Sequence, residues 1–124
     1  MKILIVDDSL LVRNSVKRML ANLVSPDALF IAAKNGKAGL ELFEKEKPDI
    51  LITDLLMPVM DGEKLIQSIY KTQHNSFISV LSSNFQKPVR ERLLSLGVNL
   101  FVEKPVTKEK AEMIIKEYQQ WKKT

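Results

Sequence analysis

Cysteine is absent from the 124 residues, which excludes a disulfide framework and a thiolate metal site and fits a reducing compartment. Long hydrophobic runs are missing too: the first apolar stretch covers residues 3–6 and stops at Asp7 and Asp8. That is too short for a signal peptide or a membrane span, so the expectation is a cytoplasmic protein without membrane contact. Neither repeats, low-complexity tracts nor linkers interrupt the chain. A single domain over residues 1–124 is expected, long enough to build a hydrophobic core unaided. The formal net charge is +4, but the lysines are scattered among glutamates. A nucleic-acid surface would gather basic residues on one face with aromatics between them, and only residues 116–123 approach that, so no direct nucleic-acid contact is expected.

What the chain does contain is a regular alternation. Short aliphatic runs at residues 3–6, 29–33, 50–52, 77–81 and 100–102 are nearly continuous, as in strands of a parallel sheet covered on both faces. Between them the apolar residues step by three and four: Val12, Val16, Met19, Leu20, Leu23; then Leu65, Ile66, Ile69, Tyr70; and at the end Met113, Ile114, Tyr118, Trp121. Ser9 or Asp8 can cap the first helix, Asn35-Gly36 turns into the second, Gly62 opens the third, Gly97 closes the fourth, and Thr107 can cap the fifth. Strand and helix alternating about five times predict right-handed crossovers and an α/β sandwich with helices on both faces.

In such a sheet, ligands bind beyond the carboxyl ends of the strands. Asp7, Asp8, Asp54, Ser82 and Lys104 all fall there. Each has a plainer reading alone: a capped turn for the acidic pair, a strand-ending turn for Asp54, a structural ion pair for Lys104. Together three carboxylates at one edge repel one another, and a hard cation such as magnesium relieves that repulsion while keeping positions for water and phosphate oxygens. An ammonium opposite them can pair with the acids at rest and hold phosphoryl oxygens afterwards. Either Ser82 or its neighbour Ser83 can supply a hydroxyl donor. The Lys104-Pro105 bond can be trans or cis.

These residues, with Ala33-Lys34-Asn35-Gly36, the Asp54 to Gly62 segment with its Met57-Pro58 turn, Leu81-Ser82-Ser83 and Glu103-Lys104-Pro105, resemble the receiver domains of two-component response regulators over essentially the whole chain. The resemblance implies a doubly wound, flavodoxin-like sandwich with a five-stranded parallel sheet in the order 2-1-3-4-5, as in single-domain chemotaxis regulators. It implies that Asp54 accepts a phosphoryl group from a sensor histidine kinase or phosphotransfer protein. It further implies that magnesium or manganese is held by Asp8, Asp54 and the backbone carbonyl of Leu56, with Asp7 acting through water. Lys104 and Ser82 would hold phosphoryl oxygens, and Phe101 would be a switch aromatic that turns inward as Ser82 moves. The downstream target would meet the fourth helix, fifth strand and fifth helix. Phe101 also reads simply as core packing.

Departures from the family pattern bear on lifetime. Leu56 is apolar where a polar side chain is common, and Leu56 and Asn84 are expected to flank the path of the water that removes the phosphoryl group. His74, the single histidine, lies in a polar link and reads as surface loop. A magnesium-dependent phosphohydrolase of the haloacid dehalogenase type would carry an acid at Leu56, so self-catalysed turnover only, rather than an enzyme, is expected. A flavodoxin-like phosphate binder would not open on Asp7-Asp8. The alternatives kept are a receiver-like docking module that phosphorylation does not regulate, and an N-terminal receiver fragment of a larger regulator.

Overall fold

Every aliphatic run is a strand, and every helical pattern between them is a helix, in a computed structural model that describes residues 1–83 and 86–124. In chain order the elements are β1 (Lys2–Val6), α1 (Leu10–Ala21), β2 (Leu29–Ala33), α2 (Gly36–Glu46), β3 (Ile50–Thr53), α3 (Gly62–Tyr70), β4 (Phe77–Ser82), α4 (Lys87–Leu96), β5 (Leu100–Glu103) and α5 (Lys108–Lys122). All pairings are parallel, in the order β2-β1-β3-β4-β5. The chain therefore winds outward in opposite directions from β1 and β3, and the switch point between them opens a crevice at the strand ends.

Strand geometry divides the core in two, because alternate side chains point to opposite faces. Ile3, Ile5, Ile50, Ile52, Phe77 and Leu81 pack with Val16 and Leu20 of α1 and with Ala111, Ile114, Ile115 and Tyr118 of α5. Leu4, Val6, Leu51, Ile78 and Val80 pack with Phe43 of α2, Leu65, Ile66 and Ile69 of α3, and Leu93 of α4. Truncating a fully buried member such as Leu20 or Ile66 to alanine would cost about 2–5 kcal/mol.

Two details differ from the sequence pattern. The 29–33 run is not covered on both faces: β2 is an edge strand bonded to β1 alone, with Leu29 at 57% exposure and only Ala33 buried. On α5 the buried face is Ala111, Ile114, Ile115 and Tyr118, while Met113 lies outward. The i, i+3, i+4, i+7 pattern starts at a small residue, Ala111, that contributes little hydrophobic signal.

Local chemistry sets the helix ends. Side chains of Ser9, Asn35, Asp61 and Thr107 accept hydrogen bonds from the backbone N–H three residues on, at 3.2, 2.8, 2.8 and 3.2 Å. Each such cap stabilises by about 1 kcal/mol. Gly97 ends α4 at φ 115°, a left-handed conformation that only glycine adopts freely.

Candidate functional site

Backbone ladders carry three residues past the ends of their strands. The N–H of Asp7 donates to the Ala33 carbonyl at 3.1 Å, that of Asp54 to Val6 at 3.0 Å, and that of Lys104 to Ser82 at 3.0 Å. Their side chains then meet over the switch point. One carboxylate oxygen from each of Asp7, Asp8 and Asp54 lies within 4.8 Å of the other two. Lys104 Nζ stands 2.8 Å from Oδ2 of Asp7 and 2.8 Å from Oδ2 of Asp54. The Lys104-Pro105 bond is cis.

Burial differs across the cluster. Asp7 and Asp54 are 2% and 8% exposed, while Asp8 is open to solvent. The other oxygen of each buried carboxylate is held by the backbone: Oδ1 of Asp7 accepts the Ser9 N–H at 2.9 Å, and Oδ1 of Asp54 accepts the Leu55 N–H at 2.7 Å. Burial alone would lower the pKa of Lys104, but its bonds to Asp54 and Asp7 and their charges together outweigh it, so the net shift is upward. The stability this adds is present below the ordinary lysine value and is lost as pH rises through the raised one.

Three carboxylates against one ammonium leave a formal excess of two negative charges. An all-oxygen, carboxylate-rich donor set of this kind fits a hard divalent cation such as magnesium. Ser82, the last residue of β4, is 1% exposed and its Oγ has no hydrogen-bond partner among the described residues. An unsatisfied buried hydroxyl costs about 1–3 kcal/mol; Ser79 Oγ on the same strand stands likewise, but Ser82 is the one at the strand end, its carbonyl accepting the Lys104 N–H. Ser83 is exposed, so burial separates the two serines.

The structure thus brings Asp7, Asp8, Asp54 and Lys104 together, with Ser82 on the adjoining strand end. Leu56 is 66% exposed beside the cluster, and Phe101 is half-buried on β5, paired in register with Val80. Asn84 lies outside the described residues. His74 lies in the link between α3 and β4, as expected, but is not fully open to solvent. It is half-buried, with its ring 4.7 Å from Tyr70 and 5.9 Å from Phe43, and its Nδ1 accepts the Ser76 N–H at 3.2 Å. It lines a cavity of about 1030 Å³ at the opposite end of the sheet from the acids.

Supporting residues were not singled out from sequence. Arg13 Nη1 donates to the Asp7 carbonyl at 2.6 Å, and Thr53 Oγ1 donates to the Asp54 carbonyl at 2.9 Å. Arg13 sits six residues after Asp7, on the second turn of α1, a spacing that could have suggested it. Gly36 and Gly62 let two loops touch: a Cβ on Gly62 would collide with the carbonyl of Asp54, and one on Gly36 with that of Met60. Both backbones are also bonded there, Gly62 N–H to Leu55 at 2.8 Å and Gly36 N–H to Met60 at 3.0 Å.

A parallel sheet in this order, with clustered acids and a lysine at its switch point, defines the class, and comparison with known proteins agrees. The response regulator receiver domain pattern matches residues 3–116, and the chain belongs to that family of two-component systems. It is 29% identical over 121 residues to the probable C4-dicarboxylate response regulator DctR of Bacillus subtilis, covering 98% of this chain and 53% of that protein. It is 38% identical over 106 residues to a protein-glutamate methylesterase/protein-glutamine glutaminase of Methanococcoides burtonii, covering 84% of this chain and 30% of that protein. The chain thus spans about half or less of the length of these relatives. Among solved structures, the N-terminal domain of an uncharacterized protein from Wolinella succinogenes superposes with a TM-score of 0.87 at 27% identity, covering 98% and 96% of the two chains. No helix among the described residues is long and apolar enough to cross a membrane.

Proposed function

We propose that residues 1–124 form one receiver domain that takes a phosphoryl group onto Asp54 from a phosphohistidine of a sensor kinase or phosphotransfer protein. The observation that carries this is the 2.8 Å contact of Lys104 Nζ with both Asp7 and Asp54 in a cluster that also contains Asp8. An Asp54 oxygen attacks phosphorus, the P–N bond of the donor breaks, and the imidazole leaves. Lys104 holds the carboxylate at rest and follows a phosphoryl oxygen once the acyl phosphate has formed. The Ser82 hydroxyl, without a partner among the described residues at rest, donates to a second phosphoryl oxygen. Phosphoryl transfer asks the protein mainly for position and charge neutralisation. Asp7, Asp8, Asp54 and the Leu56 carbonyl would hold magnesium or manganese, which when bound offsets the charge of the acids and of the incoming oxygens. The loaded form returns by water attack on phosphorus, releasing inorganic phosphate and restoring the carboxylate. In this reading Leu56, exposed two residues after Asp54, slows or admits that water.

The added charge biases a two-state element only through contacts that differ between the states. Ser82 and Phe101 are that element in this reading, and the face formed by α4, β5 and α5 presents the result to a downstream protein. Incubation with acetyl phosphate and magnesium, followed by intact mass, tests it. A phosphate-sized increment is expected on the wild-type chain and not on Asp54→Ala. No increment on the wild type would leave a docking module instead.

A further inference from the structure

Helix α4 is lightly anchored. Along its ten residues only Leu93 is buried, and its N-cap residue Gln86 makes no side-chain cap bond. Two arginines two positions apart compensate, projecting in nearly opposite directions around the helix. The Arg90 guanidinium carbon lies 5.2 Å from the centroid of the Phe101 ring on β5. Arg92 reaches α3, donating from Nε and Nη2 to the two carboxylate oxygens of Glu63 at 2.8 and 3.0 Å. That paired bond lowers the pKa of Glu63 and raises that of Arg92. One arginine therefore ties α4 to the strand that leads, three residues later, to Lys104, and the other ties it to the helix that follows the Asp54 loop.

We infer that Arg90 and Arg92 act as a clasp: Arg90 is a positioning residue that holds Phe101 in its resting pose, and the Arg92–Glu63 bond keeps α4 where that stack can form. This rests on the phosphoryl reading and adds to it what sets the resting bias. The pose described belongs to the unmodified state, since Lys104 is bonded to the free carboxylate of Asp54. A contact present in one state and absent in the other shifts the equilibrium by its own worth. An exposed cation–π contact corresponds to a population ratio of about two- to fivefold. The planar guanidinium stacks on a ring as an ammonium does not, so lysine replaces only part of it.

The test uses the full chain with fluorinated phenylalanine in place of Phe101, followed by fluorine NMR while beryllofluoride, a phosphoryl mimic, is titrated in with magnesium. In Arg90→Ala the free-protein resonance should move toward the mimic-bound position, by a two- to fivefold change in population ratio. The half-saturating beryllofluoride concentration should fall by the same factor, because a rarely populated competent state limits apparent affinity in proportion to its population. Arg90→Lys should lie between, and Glu63→Gln should shift both readouts the same way by up to about twofold. Arg90 is exposed, so these variants fold. If the wild type binds the mimic and its Phe101 resonance moves, but Arg90→Ala matches it in resonance and half-saturation, the clasp is refuted while the phosphoryl site stands. A Phe101 resonance that stays fixed on mimic binding also refutes the clasp, and a wild type that binds no mimic overturns the acceptor reading and the clasp with it.

Discussion

Replacing Lys104 with methionine keeps most of the apolar stem and removes the ammonium that Asp7 and Asp54 share at 2.8 Å. Those two carboxylates are nearly buried and stand, with Asp8, within 4.8 Å of one another. Two unit charges at that separation repel by roughly 3.5 kcal/mol at an effective dielectric of about 20. Water reaching the cluster through exposed Asp8 reduces the figure, and loss of the hydrogen bonds to Nζ adds to it. The net expectation at neutral pH without divalent cations is a loss of about 2–4 kcal/mol, overlapping the lower part of the roughly 3–5 kcal/mol that removing one partner of a fully buried pair costs. Urea unfolding in EDTA measures it as a lower midpoint with an unchanged slope. Added magnesium should then restore more stability to Lys104→Met than it adds to the wild type, because the variant has lost its internal counter-charge. A Lys104→Met protein as stable as the wild type in EDTA would show that the ammonium does not hold these acids together in solution.

Gly62→Ala should destabilise by more than about 3 kcal/mol and abolish acceptor chemistry in the same mass assay, because its Cβ meets the Asp54 carbonyl, a backbone atom that cannot step aside. His74 has its pKa lowered by burial, and its Nδ1 accepts the Ser76 N–H, which only the neutral ring can do. Its contribution is full above the ordinary histidine value of about 6.5 and drains away as pH falls from there through the depressed value; a His74→Gln chain should show a flatter urea midpoint across that window, and an equal slope in both would count against this. Val59 is β-branched at φ 70°, a left-handed strain in the loop after Asp54. Asparagine tolerates that backbone, so Val59→Asn should raise stability by about 1 kcal/mol, read as a higher melting temperature.

Much of this protein was legible one residue at a time. The strands at residues 3–6, 50–52 and 77–81 announce themselves because a buried parallel strand is nearly continuously apolar, and the caps at Ser9, Asn35 and Thr107 because an N-cap needs a short polar acceptor. Asp7, Asp8, Asp54 and Lys104 were legible from their shared place at strand ends. Less legible was anything that depends on two segments approaching. The Ala111 face of α5, the exposure of β2 and the half-burial of His74 between Phe43 and Tyr70 follow from what packs alongside. Arg13 on the Asp7 carbonyl and Arg90 on the Phe101 ring are long, flexible side chains whose partners no spacing fixes in advance.

By itself, then, the sequence determined the alternation of strand and helix, the family and the kinds of chemistry available, because period, caps and residue type are local properties of the chain. Only the tertiary structure decided that Lys104 Nζ stands 2.8 Å from both Asp7 and Asp54 and that Ser82 is buried without a partner among the described residues. Those distances arise from strand order and ladder register, which join residues 50 positions apart in one pair and 97 in the other and are set by the packing of the whole sheet.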